Sequence, residues 1–236
     1  MRLTVREAAG LLNVSEKTVY RWIQQSKLPA YKVNEQYRFN RAELLEWATA
    51  QKINVSVEIF HEREEDGAAV AGLGESLRAG GVYYRIGGSD KASVLRRVVE
   101  VMPLGDEVDR EFLLQVLLAR ESLGSTGIGN GIAIPHVRNP IVMHIPRPMA
   151  TLAFLENPID FGSLDGKWVD TLFTIVSPTV RAHLHLLSRL GFALRQPAFA
   201  TCIAEQGSRD AIFAQAQAVD AAIDSPALTA GGGSGI

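Results

Sequence analysis

The sequence predicts an α/β fold carried behind a small basic head. Three observations predict it. Segments that read as strands alternate with segments that read as helices from Val82 to Ile223, the pattern of a sheet packed between helices. Residues 1–52 hold nine Lys/Arg against five Asp/Glu, whereas residues 53–75 hold one Arg against six acids. The formal net charge of −2 hides this division. A basic head is an electrostatic hint of nucleic acid, and an acidic stretch reads as a solvated linker.

A chain of 236 residues has room for one or two domains with a real core. Its 47% hydrophobic and 21% charged content is that of a soluble globular protein. A single cysteine, Cys202, excludes a disulfide framework and a cysteine-based zinc site. No other metal-ligand spacing appears, and no cofactor is expected. The start MRLTVREAAG has no long apolar run, so no signal peptide is expected. The longest uncharged stretch, Ser122 to Val137, is broken by glycines and a proline, so no membrane span and a cytoplasmic location are expected.

In the head, Thr4 to Glu7 has the capping-box spacing, followed by a helix to Leu12 with Ala8, Leu11 and Leu12 inward. Asn13 and Val14 turn the chain, and Ser15 caps a second helix from Glu16 to about Gln25. Val19, Trp22 and Ile23 share one face of it. Lys17, Thr18, Arg21 and Gln24 project elsewhere, with Tyr20 at the boundary. Two short helices so spaced make a helix-turn-helix, whose second helix suits the DNA major groove. Lys27 to Phe39 alternates around Asn34 and Glu35 as a small β-wing. Asn40 with Glu43 caps a third helix, Arg41 to Gln51, burying Leu44, Leu45 and Trp47. This head resembles the excisionase/MerR-like winged helix-turn-helix domain over nearly its whole length. The resemblance implies DNA contact through Lys17, Thr18, Tyr20, Arg21 and Arg38. The alternative reading is that these charges are a solvated face and that the domain binds protein instead.

The neck, residues 53–75, mixes acids, Gly and Ala and marks a domain boundary, with a possible strand from Val55 to Phe60. The second domain spans residues 76–225, and residues 226–236 form a flexible tail. Val82 to Ile86 reads as a strand, and Ser89 caps a helix ending before Pro103. Val108 to Glu121 is an apolar helix with Phe112, Leu113, Val116, Leu117 and Leu118, and Arg120 in its last turn. A cation there suits the helix dipole, whatever else it does. Ile132 to Ile134, Ala150 to Leu155 and Val169 to Val176 read as buried strands, with a loop at Pro158, Asp160, Gly162 and Gly166. Helices follow at Val180 to about Leu194, Ala198 to Ala204 and Arg209 to about Ile223.

The stretch GSTGIGNGIAIPHVR, Gly124 to Arg138, organises this domain. Glycines allow backbone N–H groups to fold around an anion. Pro135 holds its neighbourhood extended, so His136 stands on a stiff segment. The dinucleotide fingerprint fails at Ile132, and the Walker loop fails at Asn130. The pattern alone fits either an anion-binding loop beside a reactive histidine or a plain loop before a buried one. LLARESLGSTGIGNGIAIPH closely resembles the active-site stretch of Enzyme IIA proteins of the phosphoenolpyruvate phosphotransferase system, fructose/mannitol type, especially the nitrogen-regulatory members. The resemblance covers roughly Ser76 to Ala222. It implies an EIIA-type mixed sheet flanked by helices, a phosphoryl group carried on His136, and support from Arg120.

His183 and His185 lie about 200° apart on a helix. His183 shares its face with Leu186, Leu187 and Leu190, so it is the inward one. The resemblance implies a role beside the phosphorylated histidine, and a core histidine bonded to a carbonyl is the plainer reading. Ser125, Thr126, Gly127 and Gly129 are expected to cradle phosphate. The expected partners are a histidine-containing phosphocarrier protein, DNA and other regulatory proteins. The expected function is a phosphotransferase-system regulator that couples phosphorylation to DNA binding. Its alternatives are a phosphocarrier feeding a sugar permease and a phosphorylation-independent binding module.

Overall fold

The computed structural model describes residues 2–25, 27–33, 36–51, 53, 71–137 and 145–225. They fall into two compact units that divide between Ala69 and Val70 and again between Asp220 and Ala221. The strand expected at 55–60, the residues His61 and His144, the wing turn at 34–35 and the tail from residue 226 lie outside the described residues.

The head contains β1 (Arg2–Leu3), α1 (Val5–Leu11), α2 (Glu16–Gln24), β2 (Tyr31–Val33), β3 (Gln36–Asn40) and α3 (Arg41–Ala50). Its three strands run antiparallel in the order β1-β3-β2. The predicted capping box forms: the Thr4 hydroxyl accepts from the Glu7 N–H, and Glu7 accepts from the Thr4 N–H at 2.7 Å. That backbone bond holds the Glu7 carboxyl below its ordinary range. Asn13 takes a left-handed φ of 51°, which turns the chain between the helices. Ser15 then caps α2 by accepting from the Thr18 N–H. Leu12, Val19, Phe39, Leu44 and Leu45 form the buried centre, and Trp22 meets Trp47 edge-on at 5.3 Å. The head is a small winged helix-turn-helix.

The larger unit holds α4 (Leu73–Gly80), β4 (Val82–Ile86), α5 (Lys91–Val101), α6 (Arg110–Ser122), β5 (Gly127–Gly129), β6 (Ile132–Ala133), β7 (Met149–Ile159), β8 (Val169–Val176), α7 (Val180–Ala193), α8 (Pro197–Ala204) and α9 (Arg209–Ile223), the last running past Asp220. Its sheet is mixed, in the order β4-β7-β8-β6-β5. β4 is parallel to β7 and β6 to β8, while β7 and β8 are antiparallel, as are β5 and β6. Ala153, Leu155, Leu172 and Val176 pack with Val94, Leu95, Val98, Leu113 and Leu117 of α5 and α6. Strand side chains alternate between faces, and the opposite set, Leu152, Phe154, Phe173 and Ile175, is buried as well. α4 packs on β7 and α7 on β8, and Phe199 of α8 meets Phe173. Burial on both faces explains why β7 and β8 read as near-continuous apolar runs.

Several boundaries differ from the sequence expectation. Asp90, rather than Ser89, caps α5: its carboxylate accepts from the Ser93 N–H at 2.8 Å, which lowers its pKa. α6 starts at Arg110 because Asp109 accepts from the Phe112 N–H. Phe112, one of the residues that make this helix apolar, is exposed. β7 continues through Pro158 to Ile159, across an irregularity in its pairing with β8, where a missing N–H is tolerated.

The largest difference is α4, which begins inside the stretch read as acidic neck. Its N-terminus has no side-chain cap of its own at Gly72. Asp220 supplies one from α9, accepting from the N–H groups of Leu73 at 2.9 Å and Gly74 at 2.8 Å. Arg189 of α7, its side chain 6% exposed, donates to the same carboxylate at 2.8 Å. One half-buried carboxylate thus ties three helices. Replacing Asp220 by Ala removes the carboxylate from a buried arginine and two helix-end donors. The expected loss is about 3 kcal/mol, read as a lower urea midpoint at unchanged slope.

Candidate functional site

β5 and β6 are joined by Asn130 and Gly131, both left-handed at φ of 56° and 76°. Two such residues between paired strands make a type I′ turn. The glycine stretch therefore builds a hairpin at the edge of the sheet. Its amides bond to protein oxygens. The Thr126 N–H donates to both oxygens of Glu121 at 3.1 Å, Gly127 to Ser125 Oγ at 3.0 Å, and Asn130 to Asp165 Oδ2 at 2.8 Å. This last bond holds the Asp165 carboxyl below its usual range. Gly127 is required by a close approach: a side-chain Cβ there would lie 2.3 Å from Ser163 Oγ and 2.9 Å from its Cα. Gly129 has φ of 83° and faces the Asp165 carboxylate. The Ser125 hydroxyl donates to the Phe161 carbonyl at 2.5 Å, and that of Thr126 to Glu121 at 2.7 Å. The expected anion cradle of Ser125, Thr126, Gly127 and Gly129 is thus largely occupied by the chain's own bonds.

The hairpin also places His136. Ile132 and Ala133 pair with Thr171 and Leu172, and the same register continues as a bridge from His136 to Ile175. The Ile175 N–H donates to the Pro135 carbonyl at 2.9 Å. Ile175 lies on the sheet face opposite Leu172 and Val176, so His136 shares that face. His183 of α7 is there, with ring centroids 5.2 Å apart. His136 is 3% exposed and His183 2%. His185 turns away, its Nε2 accepting from Arg189 Nε at 3.4 Å.

Two bonds define the His136 ring. Nδ1 lies 2.7 Å from the Ile134 carbonyl oxygen, and Nε2 lies 3.2 Å from Arg120 Nε. A carbonyl only accepts and a guanidinium only donates. Both contacts therefore select the tautomer with hydrogen on Nδ1 and a lone pair on Nε2. Arg120 Nη1 also donates to the Gly124 carbonyl at 3.0 Å, which fixes the guanidinium across the turn after α6. The structure thus brings His136, Arg120 and His183 together. Sequence reasoning missed Glu121 and Lys91, which lie 3.2 Å apart, and the Asn130-Gly131 turn, although Asn-Gly is a strong hairpin signal.

In the head, Lys17, Tyr20 and Arg21 are exposed along α2. The Thr18 hydroxyl is 3.0 Å from that of Ser15, within the helix cap. Tyr20 packs edge-on against Tyr37 at 6.2 Å, linking α2 to the wing. Half-buried Arg38 donates to the Tyr37 carbonyl at 3.1 Å and to Gln36 Oε1 at 2.6 Å.

This sheet, with an imidazole poised beside an arginine, is that of a phosphotransferase-system EIIA protein. The family model "Phosphoenolpyruvate-dependent sugar phosphotransferase system, EIIA 2" matches residues 76–218, and a helix-turn-helix domain model matches residues 2–52. The chain belongs to this EIIA family and carries a helix-turn-helix domain ahead of it. It is 36% identical over 125 residues to a nitrogen regulatory protein of Pseudomonas aeruginosa, covering 52% of this chain and 79% of that one. It is 38% identical over 120 residues to the Bradyrhizobium diazoefficiens nitrogen regulatory protein, covering 50% and 72%. The fructose-specific EIIABC component of the Bacillus subtilis phosphotransferase system is 32% identical over 135 residues, 56% of this chain and 21% of that one. The crystal structure of nitrogen regulatory protein IIA-Ntr from Neisseria meningitidis superposes with a TM-score of 0.53 at 25% identity, covering 61% of this chain and 98% of that one. No described helix is long and apolar enough to cross a membrane, and the described residues contain no cluster that could hold a metal ion.

The ring geometry has a direct spectroscopic consequence. In 15N NMR of histidine-labelled protein, the neutral His136 ring should give a pyrrole-type Nδ1 and a pyridine-type Nε2. Arg120→Ala should shift the Nε2 signal while the Ile134 carbonyl keeps the hydrogen on Nδ1; a wild-type ring protonated on Nε2 alone would contradict both bonds.

Proposed function

We propose that the chain is a regulatory phosphotransferase-system protein that accepts a phosphoryl group on His136 Nε2 from a histidine-containing phosphocarrier protein. The observation that carries this reading is the ring itself. Its Nδ1–H is tied back to the Ile134 carbonyl, which leaves the Nε2 lone pair beside Arg120. In transfer, that lone pair forms the new N–P bond as the carrier's N–P bond breaks. The departing electron pair returns to the carrier's imidazole. Charge spreads over the phosphoryl oxygens, so positioning and electrostatics dominate. Arg120 then exchanges its bond to Nε2 for bonds to phosphoryl oxygens, for which its planar fork is suited. His183, 5.2 Å away ring to ring, is the second donor to those oxygens. Incubation with phosphoenolpyruvate, Enzyme I and the carrier should give an acid-labile label that is absent in His136→Ala. Arg120→Ala and His183→Ala should label roughly ten- to a hundredfold more slowly with the fold intact, the worth of a charge-assisted hydrogen bond. Equal labelling of His136→Ala would overturn the assignment.

In the same reading, the head (1–52) is a DNA-binding domain joined to the EIIA domain, which opens with α4 at Leu73. The exposed row Lys17, Tyr20 and Arg21 on α2, braced by the wing through Tyr37, supports it. A regulator has a use for such a head, and a pure carrier to a permease does not. The transport reading draws instead on the likeness to the fructose-specific Bacillus subtilis protein. Binding selections on genomic fragments should enrich a sequence for the full chain. Arg21→Ala should cost about 1–3 kcal/mol of specific binding if it reads a base. Lys17→Ala should reduce the salt slope by about one if it meets a phosphate. Absence of any enriched sequence and of salt-dependent binding would leave the head a protein-interaction module.

A further inference from the structure

We propose that Glu121 is a positioning residue for His136, acting through Thr126 with Lys91 as its counter-charge. This rests on the phosphoryl-acceptor reading and names a part of the site which that reading does not use. Glu121 follows Arg120 in the last turn of α6, yet its side chain is only 5% exposed. A buried carboxylate is costly unless its lone pairs are satisfied and its charge is paired. Here both conditions hold. Its oxygens accept the Thr126 N–H at 3.1 Å each and the Thr126 hydroxyl at 2.7 Å, while Lys91 Nζ of α5 stands 3.2 Å away. Lys91 itself lies 5.1 Å over the Phe161 ring, whose backbone carbonyl accepts from Ser125.

This carboxylate clamps the turn between α6 and β5. The turn is closed on one side by Arg120 to Gly124 and on the other by Glu121 to Thr126. From Thr126 the chain of bonds runs directly to the ring. The Thr126 carbonyl accepts from the Ile134 N–H at 3.0 Å. The Ile134 carbonyl holds His136 Nδ1–H at 2.7 Å. Glu121 therefore sets two quantities together: the placement of the guanidinium that its neighbour Arg120 aims at Nε2, and the placement of the carbonyl that selects the ring tautomer. Neither Glu121 nor Thr126 needs to touch the phosphoryl group for this. The Thr126 hydroxyl, already donated to Glu121, contributes by holding the clamp.

The test uses the full chain and the phosphocarrier relay, with transfer rates measured against carrier concentration. Glu121→Gln keeps the shape but sets an amide among donors. It should lower kcat about tenfold, the scale of one lost charge-assisted hydrogen bond, and leave KM for the carrier within about twofold. The 15N signals of His136 should show mixed tautomers in the same variant. Thr126→Val removes one hydroxyl and should reproduce the kcat loss, and it carries the test alone if Glu121→Gln fails to fold. Acting through one link, the two changes together should cost no more than the larger single loss. Wild-type kcat in either folded variant, a loss confined to KM, or losses that add would overturn the proposal. A wild-type chain that takes no label would overturn the acceptor reading itself; a wild type that labels beside an unimpaired Glu121→Gln would overturn only the clamp.

Discussion

The parallel pairing of β6 with β8 does not stop where β6 ends. After Ile132 and Ala133 meet Thr171 and Leu172, the chain stays in the same register through Pro135 until His136 lies beside Ile175. Sheet pairing dictates which face each side chain takes. It commits His136 to the face on which α7 packs, and thus to His183. Shifted by one residue, His136 would turn toward the core formed by α5 and α6, and the histidine pair would be lost. Pro135 suits this segment because its fixed φ keeps it extended and the parallel bond needs only its carbonyl.

Around that register the remaining contacts form two braces. One is the edge hairpin, whose Asn130-Gly131 turn folds β5 back on β6 and whose Gly127 admits Ser163 at a distance no side chain would permit. The other is α6, which delivers Arg120 and Glu121 from one helical turn. Their opposite charges do different things. The arginine faces the ring, and the carboxylate faces the backbone that leads to the ring. At the start of α4, Asp220 links α4, α7 and α9 in the same manner, through helix-end amides and a buried arginine. In both places a single carboxylate satisfies donors from elements far apart in the sequence.

Much of the architecture was legible from residue patterns. The capping box at Thr4, the inward face of α2, the ends of β4 and β8 and the inward choice of His183 over His185 all follow from short-range rules of spacing. The less legible features share one cause. α4 depends on Asp220, which is 147 residues from Leu73, so no local signal marks its start. Glu121 looks like an ordinary surface acid at the end of a helix until Lys91, 30 residues earlier, is brought against it. Phe112 counts as core by its type and is exposed, because its helix face was chosen by packing on α5 and not by composition alone.

The sequence by itself determined the family, the two-part organisation and the identity of the candidate ring, because a long motif and simple periodicities need no partners to be recognised. It also carried the Asn-Gly signal that makes the glycine stretch a hairpin, although a run of glycines invites an anion-binding reading. Only the tertiary structure decided the state of that ring. Whether Nδ1 or Nε2 bears the hydrogen depends on a carbonyl two residues back and a guanidinium sixteen residues upstream. Hydrogen bonds act over about 3 Å, and distances of that size between separated residues exist only once the sheet and α6 have closed around them.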